Sequence, residues 1–281
     1  MSGPQFAFLP DGRRLHLNHG PIDLIVEVTG SGRNAALREA CVRFETLLQD
    51  VVDELDFLRR PVTEQLKCEG LVAMAMSSAA REYFPEFVTP MAAVAGAVAD
   101  EIASVIRQMP DVETAYVNNG GDVALVLING CSLTADLGEG SSVNIRGDSP
   151  VRGLATSGWR GRSQSFGIAD TVTVLAATSA KADVAATLIG NHVDLPDHPA
   201  IIRAPASDRY EDSDLGQRLV TIGVKPITKE ETSRALDAGC VYCISCLQRG
   251  FILGAQLTLN GQTRIMGELQ NMIIEREVKS A

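Results

Sequence analysis

Three arginines, Arg152, Arg160 and Arg162, stand in the stretch VRGLATSGWRGRSQSFGIAD, which runs from Val151 to Asp170 around the only tryptophan, Trp159. The chain around them is acidic, with a formal net charge of −10 at pH 7. A guanidinium binds phosphate or carboxylate through a planar fork of donors and stacks on flat rings, and Trp159 offers such a ring. The Gly- and Ser-rich backbone adds N–H groups able to meet an anion. The other reading is a solvated loop whose arginines pair with the surplus acids. The long-range field of an acidic chain repels anions, so a local cluster of fixed cations is what a bound anion requires. The expectation is therefore that Arg152, Arg160 and Arg162 converge on one cleft and that at least two of them hold an anionic ligand.

Other residues have the types and spacing for chemistry. In KADVAAT, Asp183 and Thr187 are one helical turn apart, on one face. A carboxylate and a hydroxyl are hard oxygen donors suited to Mg2+ or Ca2+, with backbone carbonyls, waters or phosphates needed to fill the shell. A solvated or mutually hydrogen-bonded pair is the alternative. In VNNGGDVAL, Asn119, Gly120, Gly121 and Asp122 read either as a close-approach site for a ligand or as a turn between two strands, with Asp122 bonded to local amides. In CVYCISC, Cys240, Cys243 and Cys246 recur at three-residue steps inside a helical pattern. A cluster or an all-cysteine zinc site needs four ligands, so these thiols read as small core hydrophobes. His16 and His19 point to opposite faces of a strand. His192, Asp194, Asp197 and His198 read as a polar connection or a loose cation site. Signatures of a nucleophile elbow, a P-loop, a His-Glu-x-x-His zinc helix and a dinucleotide-binding glycine loop are all missing.

The elements that must position these groups follow from periodicity. Short strands are expected over residues 5–28, with clear alternation in IDLIVEVTG. A long amphipathic helix is expected from Asn34 to Arg59, closed by Pro61, and a second in EGLVAMAMSSAAREYF, stopped at Pro85. A third, TPMAAVAGAVADEIASVIRQM, has Thr89 as its cap and Pro90 at the first helical position, and its Ala/Gly face admits a close neighbour. Strands return in ETAYVNNGGDVALVLINGCSLTAD, SSVNIR, VRGLAT and TVTVLAA, with Asn119-Gly120 and Asn129-Gly130 as turn signals. A helix follows in SAKADVAATLIGN with Ser179 as its cap. Leu195 to Leu215 reads as a long irregular loop. RLVTIGV is a strand, TKEETSRALDAGCVYCISCLQRGF a helix, and GAQLTLNGQTRIMG a hairpin around Asn260-Gly261. Grouped hairpins and runs of helices spell an α+β chain with antiparallel sheets, and no linker or repeat divides the span 1–281.

Composition narrows the function classes. With 45% hydrophobic and 21% charged residues the chain is an ordinary globular protein able to form a large core. No basic run offers a face for nucleic acid. MAAVAGAVA, from Met91 to Ala99, is too short to cross a bilayer, and the amino-terminal residues lack a signal-peptide pattern. A cytoplasmic protein with free thiols is expected.

Taken in order, VNNGGDVA, ATSGWRGR, VTVLA and ADVAAT resemble the ApbE-like superfamily, whose best-known members are FAD:protein FMN transferases. HGPIDL, TPMAAVAGAVADEI, RGLATSGWRGRS and GIADTVTVLA are similar to a shorter branch of it, and the resemblance covers nearly the whole chain. It implies an α+β fold of the T-fold type, antiparallel sheets backed by helices. It implies a divalent cation near Asp183 and Thr187, and a flavin-nucleotide cleft bordered by Gly120, Gly121, Asp122, Thr156, Ser157 and Gly158. The transferases also carry a His-x-x-Asp-Pro-x-Thr-Gly stretch before the strand; here RSQSFGIADTVTVLA runs almost directly into it. A Lys-Gly segment ahead of the Gly-Gly-Asp turn is absent too.

The expectation is a protein that binds a flavin (FAD or FMN) or another small anionic cofactor or metabolite, with Mg2+, as an enzyme of redox or sulfur-linked metabolism. The alternatives are a non-catalytic oligomeric binding or scaffold protein that lost transferase chemistry, and a thiol or sulfur relay. A homodimer or larger assembly is expected, both from the small-residue helix and from the resemblance, since T-fold relatives commonly associate through sheets and helices.

Overall fold

The structure, a computed structural model, describes residues 3–63, 68–138 and 141–275. The single-domain expectation over 1–281 thus extends to residues outside those described.

Alternating apolar residues give β1 (Gln5–Phe8), β2 (Leu15–His19) and β3 (Ile22–Val28), an antiparallel meander. The long helical pattern forms α1 (Arg33–Asp53) and, after a break at Glu54, a short α2 (Leu55–Leu58). Then come α3 (Leu71–Arg81) and α4 (Val94–Arg107). Five strands follow: β4 (Thr114–Asn119), β5 (Asp122–Leu127), β6 (Ser132–Gly138), β7 (Ser141–Arg146) and β8 (Gly153–Ser157). The chain continues through β9 (Thr171–Ala176), α5 (Ser179–His192), β10 (Ile201–Pro205) and β11 (Leu219–Val224). It closes with α6 (Lys229–Gln248), β12 (Gly254–Leu259), β13 (Gln262–Gly267), α7 (Leu269–Met272) and β14 (Ile273–Glu275).

Nine strands build one sheet in the order β1-β2-β3-β4-β5-β8-β9-β12-β13, antiparallel throughout. The helices cover one face. There Val117, Ala124, Val126, Ala155, Val172 and Val174 pack with residues of α1, α4, α5 and α6. Over the other face lies a small sheet, β14-β7-β6, whose Val143 and Ile145 meet Leu125, Leu127, Leu154 and Leu175. Central strands buried on both sides explain the near-continuous apolar runs DVALVL and TVTVLA. The α+β class with antiparallel sheets backed by helices is the architecture observed.

α4 and α5 are the pair that matters for the site. A Cβ on Gly96 of α4 would lie 2.4 Å from the Ser179 carbonyl oxygen, so only glycine lets the helices approach this closely. The pair is tied by its own polar groups. Asp100 of α4 accepts from the N–H groups of Ser179 and Ala180 at 2.9 and 2.8 Å, and Asp183 of α5 accepts from Gly96 N–H at 3.0 Å.

Three local expectations are corrected. The cap of α5 is Thr178, extended, whose hydroxyl accepts from Lys181 N–H; Ser179 is already the first helical residue and its hydroxyl donates to the Leu154 carbonyl at 3.4 Å. Thr89 is extended and its hydroxyl donates to Asp214, while Pro90 opens a 3-10 turn over Pro90–Ala93 instead of an α-helix. The segment from Leu195 to Leu215 holds β10, which pairs with β11 in a separate two-stranded ribbon. β10 itself is only partly buried along its length, so it carries no alternation to read.

Candidate functional site

A cleft of about 300 Å³ opens where the start of α4, the turn-side end of β5, the face of α5 from Asp183 to Asn191 and the segment around residues 210–215 meet. Its polar lining includes Asp122, Arg162, Asp183, Thr187, Gln164 and Asn191, and Phe87, Met91, Phe166, Tyr210 and Leu215 supply apolar walls. Phe87 and Phe166 lie 6.3 Å apart, centroid to centroid.

Asp122 opens β5 directly after the turn at Gly120 and Gly121, both at positive φ. The turn is closed by Asn118, whose side-chain oxygen accepts from Gly121 N–H at 2.9 Å. Asp122 therefore does not serve its own turn. Its carboxylate accepts the N–H of Thr156, on β8 beside it, at 3.2 Å. Burial pushes the Asp122 carboxyl up to about 7, against the pull of the Thr156 N–H and the Arg162 charge. Asp183 is likewise held well above the usual carboxylate range, first by burial and then by the charges of Asp122 and Asp100, with the Gly96 N–H opposing. Two carboxylates from distant parts of the chain thus sense each other in one cleft, with the Thr187 hydroxyl one helical turn along.

Asn119 does not line the cleft. It donates to the Ala95 carbonyl at 3.1 Å and so fixes the first turn of α4 against β4. Gly120 lies under the Arg162 guanidinium; a Cβ there would come within 2.2 Å of Nη2. Among the described residues Arg162 makes no ion pair or hydrogen bond.

The expectation that three arginines converge is corrected: of the three, Arg162 alone lines the cleft. Arg160 bonds Asp170 at 2.9 Å and stacks over Trp159, its guanidinium carbon 4.4 Å from the ring centroid, out at the surface. Trp159 thus braces an arginine. Arg152 lines a different cavity at the far end of α4 and α5. Strand geometry divides these residues: Gly153 and Ala155 face the helices, so Thr156 faces away, its hydroxyl 2.9 Å from that of Thr173. Ser157 and Gly158 lead out of β8, and Gly158 packs so tightly that a Cβ would lie 2.1 Å from the Asp170 carbonyl oxygen. Neither lines the cleft. The aromatic wall and Asn191 carried no spacing signal; each comes from a different element.

The cysteines pack as read. Cys243 and Cys246 are buried in the main core with Cys240 against it, and burial pushes the Cys243 thiol up to about 12 and that of Cys246 up to about 11. Thiols so raised stay protonated and are poor nucleophiles at neutral pH. His16 pairs with Asp23 while His19 turns to Phe44 on the opposite face. His192 stacks on Tyr242, Asp194 binds Arg203 at 2.6 Å, and His198 meets Glu231 at 3.0 Å, so these groups do not gather. Among the described residues no group of three or more His, Cys, Asp or Glu could hold a metal ion.

The fold is similar to that of the ApbE protein of Thermotoga maritima, with a TM-score of 0.56 at 9% identity over 97% of this chain and 100% of that one. The architecture is therefore that of an ApbE-like α+β fold. The family model described as AbpE bacteria matches residues 6–265, and the chain belongs to that family. It is 37% identical over 135 residues to a UPF0280 protein of Methanothermobacter thermautotrophicus, covering 45% of this chain and 50% of that one. It is also 37% identical over 124 residues to one of Methanopyrus kandleri, covering 43% and 48%. The chain spans about half the length of these curated relatives. Among the described residues no helix is long and apolar enough to cross a membrane.

Proposed function

We propose that this ApbE-like protein binds a ring-bearing anionic cofactor or metabolite, with a flavin nucleotide as the leading case, together with a divalent cation such as Mg2+. The observation that carries this reading is the meeting of Asp122, Asp183 and Thr187 with an unpaired Arg162 in one aromatic-walled cleft. The donor set fits the cation: two carboxylates and a hydroxyl are hard oxygen ligands, and the shell is completed by water and ligand oxygens. Without a cation, burial and mutual repulsion keep protons on the carboxyls; Mg2+ takes the place of those protons. Phe166 and Tyr210 suit the face of a planar ring, while Phe87 already carries the Arg218 guanidinium over one face, and Arg162 suits a phosphate. The cleft volume lies at the low end for small-molecule sites.

The absence of the His-x-x-Asp-Pro-x-Thr-Gly stretch favours binding without FMN transfer, and a non-catalytic binding protein is the second reading. A cytoplasmic, homodimeric protein completes the proposal. Titration with FMN and FAD, with and without Mg2+ and followed by flavin fluorescence, tests it. Arg162→Ala should weaken binding about tenfold or more, the loss of one charge-assisted hydrogen bond, while Arg160→Ala should match the parent. A parent protein that binds neither flavin nucleotide excludes the flavin. Equal affinity of the Arg162→Ala variant removes the role given to that arginine.

A further inference from the structure

At the far end of the α4–α5 pair, away from the cleft, lies a second cavity of about 340 Å³. Ala75 and Ala79 of α3 and Ala97 of α4 give it an apolar side, while Ser104, Arg107 and Arg152 give it a polar one. Arg152 is locked in place. Its Nη1 donates to the carbonyls of Ser149 and Val151 at 2.6 and 2.7 Å, and its Nη2 to that of Gly147 at 2.8 Å. The Nε–H and one Nη2–H are left for something else.

The acids around the cavity are already engaged. Asp100 accepts the two N–H groups that open α5. Glu101 binds Arg43 at 2.6 Å, and the one lysine of the lining, Lys181, binds Glu82 at 2.5 Å. Arg107 and Arg152 are the cations left over: neither makes an ion pair among the described residues, although the Arg107 charge is felt by Asp100, whose carboxylate is held by the two α5 N–H groups. Burial and the neighbouring Arg107 both lower the Arg152 guanidinium from its ordinary value. Two guanidinium groups near one another, one fixed by carbonyls and neither donating to a carboxylate, form a clamp for an anion, since a shared oxyanion removes their repulsion and uses their spare donors.

We propose that this cavity is a second ligand site, built from Arg107, Arg152 and Ser104 over an alanine-lined wall, for a small organic anion whose carboxylate or phosphate meets the arginines and whose apolar body lies on the alanines. It is distinct from the cleft and does not depend on what the cleft binds.

The test is a titration of the isotope-labelled protein with phenyl phosphate and with inorganic phosphate, followed by backbone amide shifts. Phenyl phosphate should move the amides of Ala75, Ser104 and Arg107 and bind more tightly than inorganic phosphate. Arg107 is solvent-exposed, so its replacement leaves the fold in place. Arg107→Ala should weaken phenyl phosphate at this site about tenfold and Arg107→Glu should weaken it further, while Arg162→Ala should leave this site unchanged. Shifts confined to the cleft, no shifts at millimolar phenyl phosphate, or equal affinity in both Arg107 variants would overturn the site. Equal affinity for the two probes would overturn the organic character of its ligand.

Discussion

Asp122 is where a single residue carries the most testable physics. Its unfolded-state carboxyl titrates near 3.9, and in the folded chain it is pushed up to about 7. Below both values the folded and unfolded chains hold the proton alike. Between them the folded chain keeps a proton that the unfolded chain has released, so stability falls as pH rises through this window and stays lowered above it. Asp183, raised in the same direction, deepens the loss. Thermal melts without divalent ions should therefore show a lower Tm at pH 8 than at pH 5.5, and Asp122→Asn should flatten that slope. Mg2+ bound by the carboxylates should raise Tm at pH 8, by an amount equivalent to about 2.7 kcal/mol at a hundred times its Kd. The gain should be smaller at pH 5.5, where protons compete, and absent in Asp183→Asn. A melt independent of both pH and Mg2+ would show that the carboxylates do not titrate as described. The arginines teach the complementary lesson: they are close in sequence, yet Arg152, Arg160 and Arg162 serve a cavity at one end, a surface stack on Trp159, and the cleft.

Helices α4, α5 and α6 show how element packing sets what a residue does. The Ala/Gly face of α4 was legible as a close-packing surface, and α5 fills it. Gly96→Ala should force the Ser179 backbone away and cost about 1–3 kcal/mol by overpacking, with loss of Mg2+ response, because Asp183 is held by the Gly96 N–H. A denaturant midpoint equal to the parent's would show that the helices have slack there. In α6 the thiols belong to the core. Changing Cys240, Cys243 and Cys246 to Ala, Val and Ala should cost a few kcal/mol at most and leave ligand binding intact. Loss of a bound metal with the fold retained would instead reveal a metal site.

At the scale of the molecule, the small-residue helix cannot be the basis of dimerisation, because Ala93, Gly96, Ala97, Ala99 and Ala103 are buried within the chain. The expectation of a homodimer or larger has a direct test: light scattering at micromolar concentration should give at least twice the chain mass of 30.0 kDa, and a monomer mass would end the idea. Periodicity by itself determined the helices and strands, the antiparallel grouping and the core placement of the cysteines, because each rests on neighbours a few residues apart along the chain. The family text, carried by motifs in order, was legible for the same reason. The short ribbon strand β10 and the role of Thr89 were not, since each depends on a partner far along the chain, Leu219–Val224 and Asp214; the cap at Thr178 is local, but two adjacent hydroxyl residues, Thr178 and Ser179, carry the same signal. The site itself was decided by tertiary structure. Asp122 and Asp183 share a cleft only because the sheet order places β5 beside β8 and lays α5 along α4. One residue of strand register decides whether a side chain meets the helices or the solvent, and it is register that brings the Thr156 N–H to Asp122 while turning its hydroxyl away.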